Sequence, residues 1–323
     1  MSDVTSQYTT TAPLVTVGVA SFNNASYIGA TLDSIRAIDY PNLELLVVDD
    51  CSTDDSVAAI EAWLTQNSDF PGRLIANATN QGVCRVCNRF ITEAHGKYVC
   101  LIGSDDIYLP HKLSTQVAML EAASEKVGVV YSDVAKIDPH GKITVPSVYG
   151  TGEVVPFAGD IWLPMLRVNF IPAMTTLIRR SCFDVVGLYD ESLAYEDWDM
   201  WLRLARKYEF LYQPEVTALY RIHGGSAMHK RRAQVAESSL LLLQKHVGIS
   251  AEGDEIINEH TAYYAEVLYL LGSPASSEWL ARRWKSKRDM RSFALLSLAK
   301  LGIPAHTMQR VSSWVKKIRG ISS

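Results

Sequence analysis

The sequence predicts an α/β fold: a mostly parallel sheet covered by helices, followed by a helical appendage. Three observations point there. Short β-branched apolar runs alternate with apolar residues at helical spacing through the first 120 residues, the pattern of βαβα units. The run Tyr98-Val-Cys-Leu-Ile102 ends abruptly at Asp105 and Asp106, as a buried strand does where its tip meets solvent. From about Arg231 onward the periodicity is helical alone.

Taken in order, Leu14–Ala20 reads as a strand, Ser21–Asn24 as a loop, and Ile28, Leu32, Ile35 and Ile38 as one helix face that stops at Pro41. Leu43–Val48 makes a second buried strand that closes on Asp49-Asp-Cys-Ser52 before another apolar-periodic helix. Asn80–Arg89 is a turn entering a helix, whose N-terminal amides and Arg85 are placed to face an anion. A loop-rich stretch, 138–172, separates this half from Tyr195–Ala205, an amphipathic helix with acids at its start. Glu215–Tyr220 then gives a strand leading into Arg221-Ile-His-Gly-Gly-Ser226. The remaining helices are Val235–His246, Asp254–Leu271, Ser276–Leu301 and a basic amphipathic Met308–Arg319. The expected organisation is a loose tail over 1–12, a sheet domain over 13–230 and a helical extension over 231–323.

In parallel sheets ligands bind beyond the carboxyl ends of the strands, and three polar tips fall at that edge: Ser21–Asn24, Asp49–Ser52 and Ser104–Asp106. Paired carboxylates at a strand tip suit a hard divalent cation, although a polar turn before a helix explains them equally well. The start, Met1–Thr11, lacks the basic and apolar regions of a signal peptide, and the apolar stretches are too short to span a bilayer, so the protein is expected to be cytoplasmic. Five scattered cysteines suit reduced thiols, and the lone Cys84-Arg-Val-Cys87 has no second pair to complete a zinc site. After residue 280, eleven Lys and Arg face Asp289 alone, a net +10 that leaves −14 for residues 1–280. The asymmetry suits a peripheral contact with anionic membrane at its inner face, or solvated helix faces; no nucleic-acid motif accompanies it.

The order Ala20-Ser-Phe-Asn23, Val47-Val-Asp-Asp-Cys-Ser-Thr-Asp54, Asn80-Gln-Gly82 with Arg85 and Asn88, Leu101-Ile-Gly-Ser-Asp-Asp106, Glu196-Asp-Trp-Asp199 with Arg203, and Tyr220–Ser226 resembles a family 2 glycosyltransferase of GT-A fold. The resemblance implies an inverting enzyme that moves a sugar from a nucleoside-diphosphate donor, UDP-linked by expectation, to a saccharide or lipid-linked saccharide in cell-surface polysaccharide or glycolipid synthesis. It implies Mn²⁺ or Mg²⁺ held by Asp105, Asp106 and His223, and Asp197 as general base with Glu196 beside it. Ser21, Phe22, Asn23, Asp49, Asp50, Arg85, Ser104 and Asp105 fall on the donor side, with Phe22 placed to stack on the base or to pack in the core. Gly103 departs from the family's commoner Asp-x-Asp-Asp, which leaves open a non-catalytic reading, an NDP-sugar-binding or scaffolding protein. Dehalogenase-type phosphatase chemistry is disfavoured, since Cys51 and Ser52 stand where an acid is needed after Asp49 or Asp50.

Overall fold

The structure, a computed structural model, describes residues 12–224 and 232–305. The chain divides into two compact units, residues 1–191 with 196–225, and residues 192–195 with 226–323.

The first unit is built on a nine-stranded mixed sheet. Its strands are β1 (Val15–Ser21), β2 (Leu43–Asp49), β3 (Gly72–Ala76), β4 (Tyr98–Gly103), β5 (Ile107–Tyr108), β6 (Val127–Ile137), β7 (Ile143–Val145), β8 (Leu177–Arg179) and β9 (Glu209–Arg221). They run in the order β3-β2-β1-β4-β8-β6-β9-β5, with β7 beside β6. The first four are parallel: Val15 of β1 aligns with Leu43 of β2 on one side and Tyr98 of β4 on the other. β4 then meets β8 antiparallel, while β6 and β9 pair in parallel. Because β1 has a strand on either side and helices on both faces, it is apolar without alternation, and Val15, Val17 and Val19 are fully buried.

The helices α1 (Ala25–Arg36), α2 (Ser56–Gln66), α3 (Val83–Glu93) and α4 (Lys112–Ala122) flank this sheet. Helix α1 buries Ile28, Leu32 and Ile35, the stripe that the spacing predicts. Each such side chain contributes about 1.5–3 kcal/mol on leaving water. Short α5 (Trp162–Arg167) and α6 (Cys182–Val186) precede α7 (Asp197–Ala205), whose face Trp198, Met200, Trp201, Leu202 and Leu204 is buried.

A single polar clamp joins β8, β6 and α4. Arg179 is buried, and its guanidinium donates to Val127 O at 2.8 Å, to Leu120 O at 2.5 Å and to the Tyr98 hydroxyl at 3.2 Å. The charge is tolerated there because these acceptors replace its water.

The second unit contains α8 (Arg232–Gln244), α9 (Ala251–Leu270), α10 (Ser276–Ser286) and α11 (Met290–Lys300). Its core is formed by Ala236, Leu240, Ala265, Leu268, Trp279, Leu280 and Leu296. The four residues 192–195 belong with it: Ser238 Oγ accepts from Ala194 N at 2.8 Å, and the Tyr195 and Ser239 hydroxyls meet at 2.8 Å.

The structure departs from three sequence expectations. The single helix Ser276–Leu301 is two helices, because Asp289 caps a new start by accepting from Ser292 N at 2.7 Å. The strand Glu215–Tyr220 extends back to Glu209, where β6 supplies its partner residues. The stretch 138–172 is less irregular than its composition suggests and holds β7 and α5. The tail 1–11 and the basic segment Met308–Arg319 lie outside the described residues.

Candidate active site

The polar tips of β1, β2 and β4 are tied to one another. Ser21 Oγ donates to Asp49 Oδ2 at 2.8 Å, and Asn24 Nδ2 donates to Ser104 Oγ at 2.8 Å. Two non-glycine residues at these tips, Asn23 (φ 53°) and Cys51 (φ 65°), sit in the left-handed region, a conformation that costs free energy and persists where surrounding bonds enforce it. Here the bonds are visible: Asn23 N donates to Ser52 Oγ, and Asn23 Oδ1 accepts from Thr53 N. Phe22 is 44 % exposed at the β1 tip, which removes core packing as its explanation.

Asp49 and Asp50 are both buried and fully engaged. Asp49 accepts from Ser21 Oγ, Ser52 N and Ser52 Oγ; Asp50 accepts from Asn77 Nδ2, Gln81 N and Gly82 N. The anion at the turn before α3 is therefore the chain's own Asp50. Arg85 forms an ion pair with Glu191 at 2.8 Å, and Asn88 exchanges hydrogen bonds with the Tyr189 backbone. The Asn80–Arg89 motif thus fixes the 189–191 loop that precedes α7. In this arrangement Asp49, Asp50 and Arg85 organise loops.

At the β4 tip the adjacent acids separate. Asp105 Oδ2 lies 2.9 Å from His223 Nε2, while Asp106 is buried and its Oδ1 accepts from Arg221 N at 2.9 Å. Arg221 Nε also donates to Asp105 O at 2.7 Å, and the guanidinium stacks 4.8 Å from the Tyr27 ring centre. Tyr27 lies against His223 as well, with ring centres 5.1 Å apart. Burial, reinforced by the charge of Asp105, pushes the Asp106 carboxyl well above the usual carboxylate range.

Gly103 explains how two acids crowd together. A Cβ built there would stand 2.7 Å from Asp105 Oδ1 and 3.4 Å from Asp106 Oδ2, so both carboxylates fold over the bare glycine. Among the described residues no three His, Cys, Asp or Glu side chains make a complete metal cage. The oxygen of Asp105 and the nitrogen of His223 nonetheless fit Mn²⁺ or Mg²⁺ as a partial set, of the kind a diphosphate completes.

The second acidic pair opens α7. Glu196 and Asp197 are half-buried, and Asp197 Oδ1 accepts from Trp198 N at 2.6 Å. Burial, then the neighbouring Asp197 charge, holds the Glu196 carboxyl up to about 7. Burial raises Asp197 too, opposed by a hydrogen bond from the Asn169 side chain. Asn169 Oδ1 is buried with no hydrogen-bond partner. A hollow of about 20 Å³, room for one water, is lined by Glu196, Asp197, Leu101, Thr176, Tyr189 and Trp201. Asp199, one turn into the helix, is not part of this pair: it is buried and bound to Arg203 at 2.8 Å, whose other nitrogens hold Val186 O and Leu188 O.

Tyr220, on β9, is raised in phenol pKa by burial first and then by the charges of Asp106, Asp105 and Asp197. Tyr220 stands in the Tyr220–Ser226 motif without a role of its own, and neither Tyr27 nor Asn169 is singled out in sequence, because a tyrosine on a helix or an Asn in a Pro-rich loop has ordinary structural uses. A cavity of about 240 Å³ lined by Gln244, Asp254, Asn258 and Arg282 belongs wholly to the second unit and holds none of these residues.

The model of glycosyl transferase family 2 matches residues 16–186, more than half of the chain and including both β4 acids. The chain belongs to glycosyl transferase family 2. It is 26% identical to an uncharacterised glycosyltransferase of Rickettsia typhi over 96% of this chain and 98% of that one. It is 28% identical to WfaP of Escherichia coli, a UDP-Glc:α-D-GlcNAc-diphosphoundecaprenol β-1,3-glucosyltransferase, over 74% and 88% of the two chains. Among solved structures, S. aureus TarS 1–349 with UDP-GlcNAc superposes with a TM-score of 0.63 at 18% identity, covering 90% of this chain and 88% of that one. The mannosyltransferase PcManGT of Pyrobaculum calidifontis, in complex with GDP-Man and Mn²⁺, gives 0.59 at 21%, covering 96% and 88%. The fold is GT-A, and this family member is a glycosyltransferase.

Proposed function

We propose that this family 2 enzyme transfers a hexosyl group with inversion from a UDP-sugar to a hydroxyl of a lipid-linked saccharide, in the assembly of a cell-surface polysaccharide or glycolipid. The observation that carries the reading is the Asp105–His223 pair at the β4 tip, in a chain whose α7 opens on the raised acids Glu196 and Asp197. WfaP, with a UDP-glucose donor and a diphosphoundecaprenol acceptor in its name, supports the substrate classes.

Asp105 and His223 would hold the divalent cation together with the donor diphosphate, and Asp106, buried behind them, braces the end of β9 by accepting from Arg221 N. When bound, the cation supplies Lewis-acid stabilisation of the charge that builds on the departing phosphate oxygens. Phe22, exposed at the β1 tip, offers its ring to the nucleotide base, with Ser21, Asn23 and Ser104 shaping that edge. Asp197 orients the acceptor hydroxyl and takes its proton as the hydroxyl oxygen bonds to the anomeric carbon. The bond from that carbon to the diphosphate oxygen breaks on the opposite side, and the nucleoside diphosphate leaves with the electron pair. A carboxylate raised above its ordinary range is a stronger base, and protonated Glu196 keeps the pair from carrying two charges.

The test is nucleotide release with Mn²⁺ and a panel of saccharide acceptors, comparing the wild type with Asp197→Asn. Loss of about 10²–10⁴-fold in kcat with donor KM little changed is expected. Equal turnover by the two proteins would favour the non-catalytic, sugar-nucleotide-binding reading.

A further inference from the structure

Helix α11 carries an apolar stripe that the described residues of the second unit leave exposed. Its inner face, Ser292 and Leu296, is buried in the core. Its outer face presents Met290 at 81 % exposure, Phe293 at 50 % and, in the turn that ends the helix, Leu301 at 73 %. Spacings of three and eleven residues bring these three onto one side, with only the small Ala294 and Ser297 between them.

The surround of this stripe is basic. Lys285, Lys287 and Arg288 precede it and Lys300 closes it, and these four make no ion pair among the described residues. Two acids of the helices packed next to it are already matched. Glu278 pairs with Arg282, and Glu266 pairs with both Arg283 and Arg291. Asp289, the lone acid after residue 280, is engaged in capping α11. Trp284 packs on Phe293 at 5.6 Å between ring centres, and Arg288 lies 5.4 Å from the Trp284 ring, so the aromatic group and a cation share one edge.

We propose that the outer face of α11 docks this protein on an anionic lipid surface. Apolar residues backed by an aromatic side chain enter the acyl boundary, and the unmatched lysines and Arg288 meet the headgroup phosphates. A nucleic acid would leave the stripe of Met290, Phe293 and Leu301 unused, and an apolar protein partner would leave the cations unused. The proposal deepens the reading of a lipid-linked acceptor and rests on it for its purpose, but the surface can be tested without any acceptor.

The experiment is flotation of the full chain with phosphatidylcholine vesicles, with and without phosphatidylglycerol. The wild type is expected on the anionic vesicles only, released as salt rises and screening shortens. The triple variant Met290→Ser, Phe293→Ser, Leu301→Ser and the double variant Lys287→Glu, Arg288→Glu should each lower partitioning by about tenfold or more. Both should keep the wild-type melting temperature and nucleotide release with a soluble acceptor. Asp197→Asn should bind vesicles as the wild type does, so failure of the transfer reaction and failure of docking are separable. Equal flotation of the triple variant and the wild type would overturn the proposal. So would a wild type that ignores anionic vesicles and instead forms a dimer that the triple variant dissociates.

Discussion

Gly103 has a position rather than a side chain to contribute. The space it leaves is filled by Asp105 Oδ1, so Gly103→Ala should displace that carboxylate, since the new Cβ would approach within 2.7 Å. Weakened activation by Mn²⁺ is expected, on the order of tenfold or more as for lost support of a ligand, read from activity against metal concentration. Asn169 acts on the other acid. Its amide donates to Asp197, and Asn169→Ala should raise the base's pKa and move the acidic limb of the kcat–pH profile upward. Glu196→Gln replaces an acid that is still protonated while Asp197 titrates, so it should leave that limb in place and remove the titration near 7. A limb displaced in one variant and unmoved in the other is not what general loss of structure produces. Of these residues the sequence displayed the acids, because they stand at a strand tip and a helix start within an ordered set of motifs. Asn169 stayed hidden because its significance is a contact made across 28 positions of chain.

At the scale of elements, α7 is anchored by the Asp199–Arg203 pair and by what Arg203 holds. Asp199 is fully buried, so Arg203→Ala removes the cation bound to an interior carboxylate and should destabilise by about 3–5 kcal/mol, measured by denaturant unfolding. Asp197 shares the helix, so the surviving folded protein should also lose kcat. The strands β1, β2 and β4 and helix α1 were legible because burial on both faces gives continuous apolar runs, and burial of one helix face gives a 3.6-residue repeat. The break between α10 and α11 was less so: a single Asp289 in a basic, apolar-periodic run decides it, and local pattern registers periodicity better than caps. The short strands β5, β7 and β8 escaped because two or three residues carry no period; their partners, not their composition, define them. Asp49 and Asp50 show the same limit, since sequence marks an acid but not whether neighbouring amides have taken it.

For the whole molecule, pH acts on stability through two buried groups. Glu196 is raised to about 7, so the folded state holds a proton that the unfolded chain gives up near its ordinary 4.5. Its contribution is complete below that ordinary value and is lost as pH climbs toward 7. Lys112 is fully buried, bonded to Gln116 Oε1 and Thr176 O, and burial lowers it to about 8. There the folded state sheds a proton first, so stability recovers as pH rises from about 8 toward 10.5. The melting temperature of the wild type should therefore gain on that of Lys112→Met between pH 7 and 10, and Glu196→Gln should flatten the decline between 4.5 and 7.

Strand β9 pairs with β6 over most of its length and with β5, the two residues that follow Asp106, and its last residue clasps both β4 acids two positions before His223. Side chains along a strand change face at every step. Removing Leu219, where β9 pairs with β6 residue for residue, would turn Arg221 to the opposite surface and carry His223 away from Asp105. The length of this segment works as a gauge: the surrounding loops can lengthen or shrink as acceptors diverge, while the count of residues here cannot drift by one.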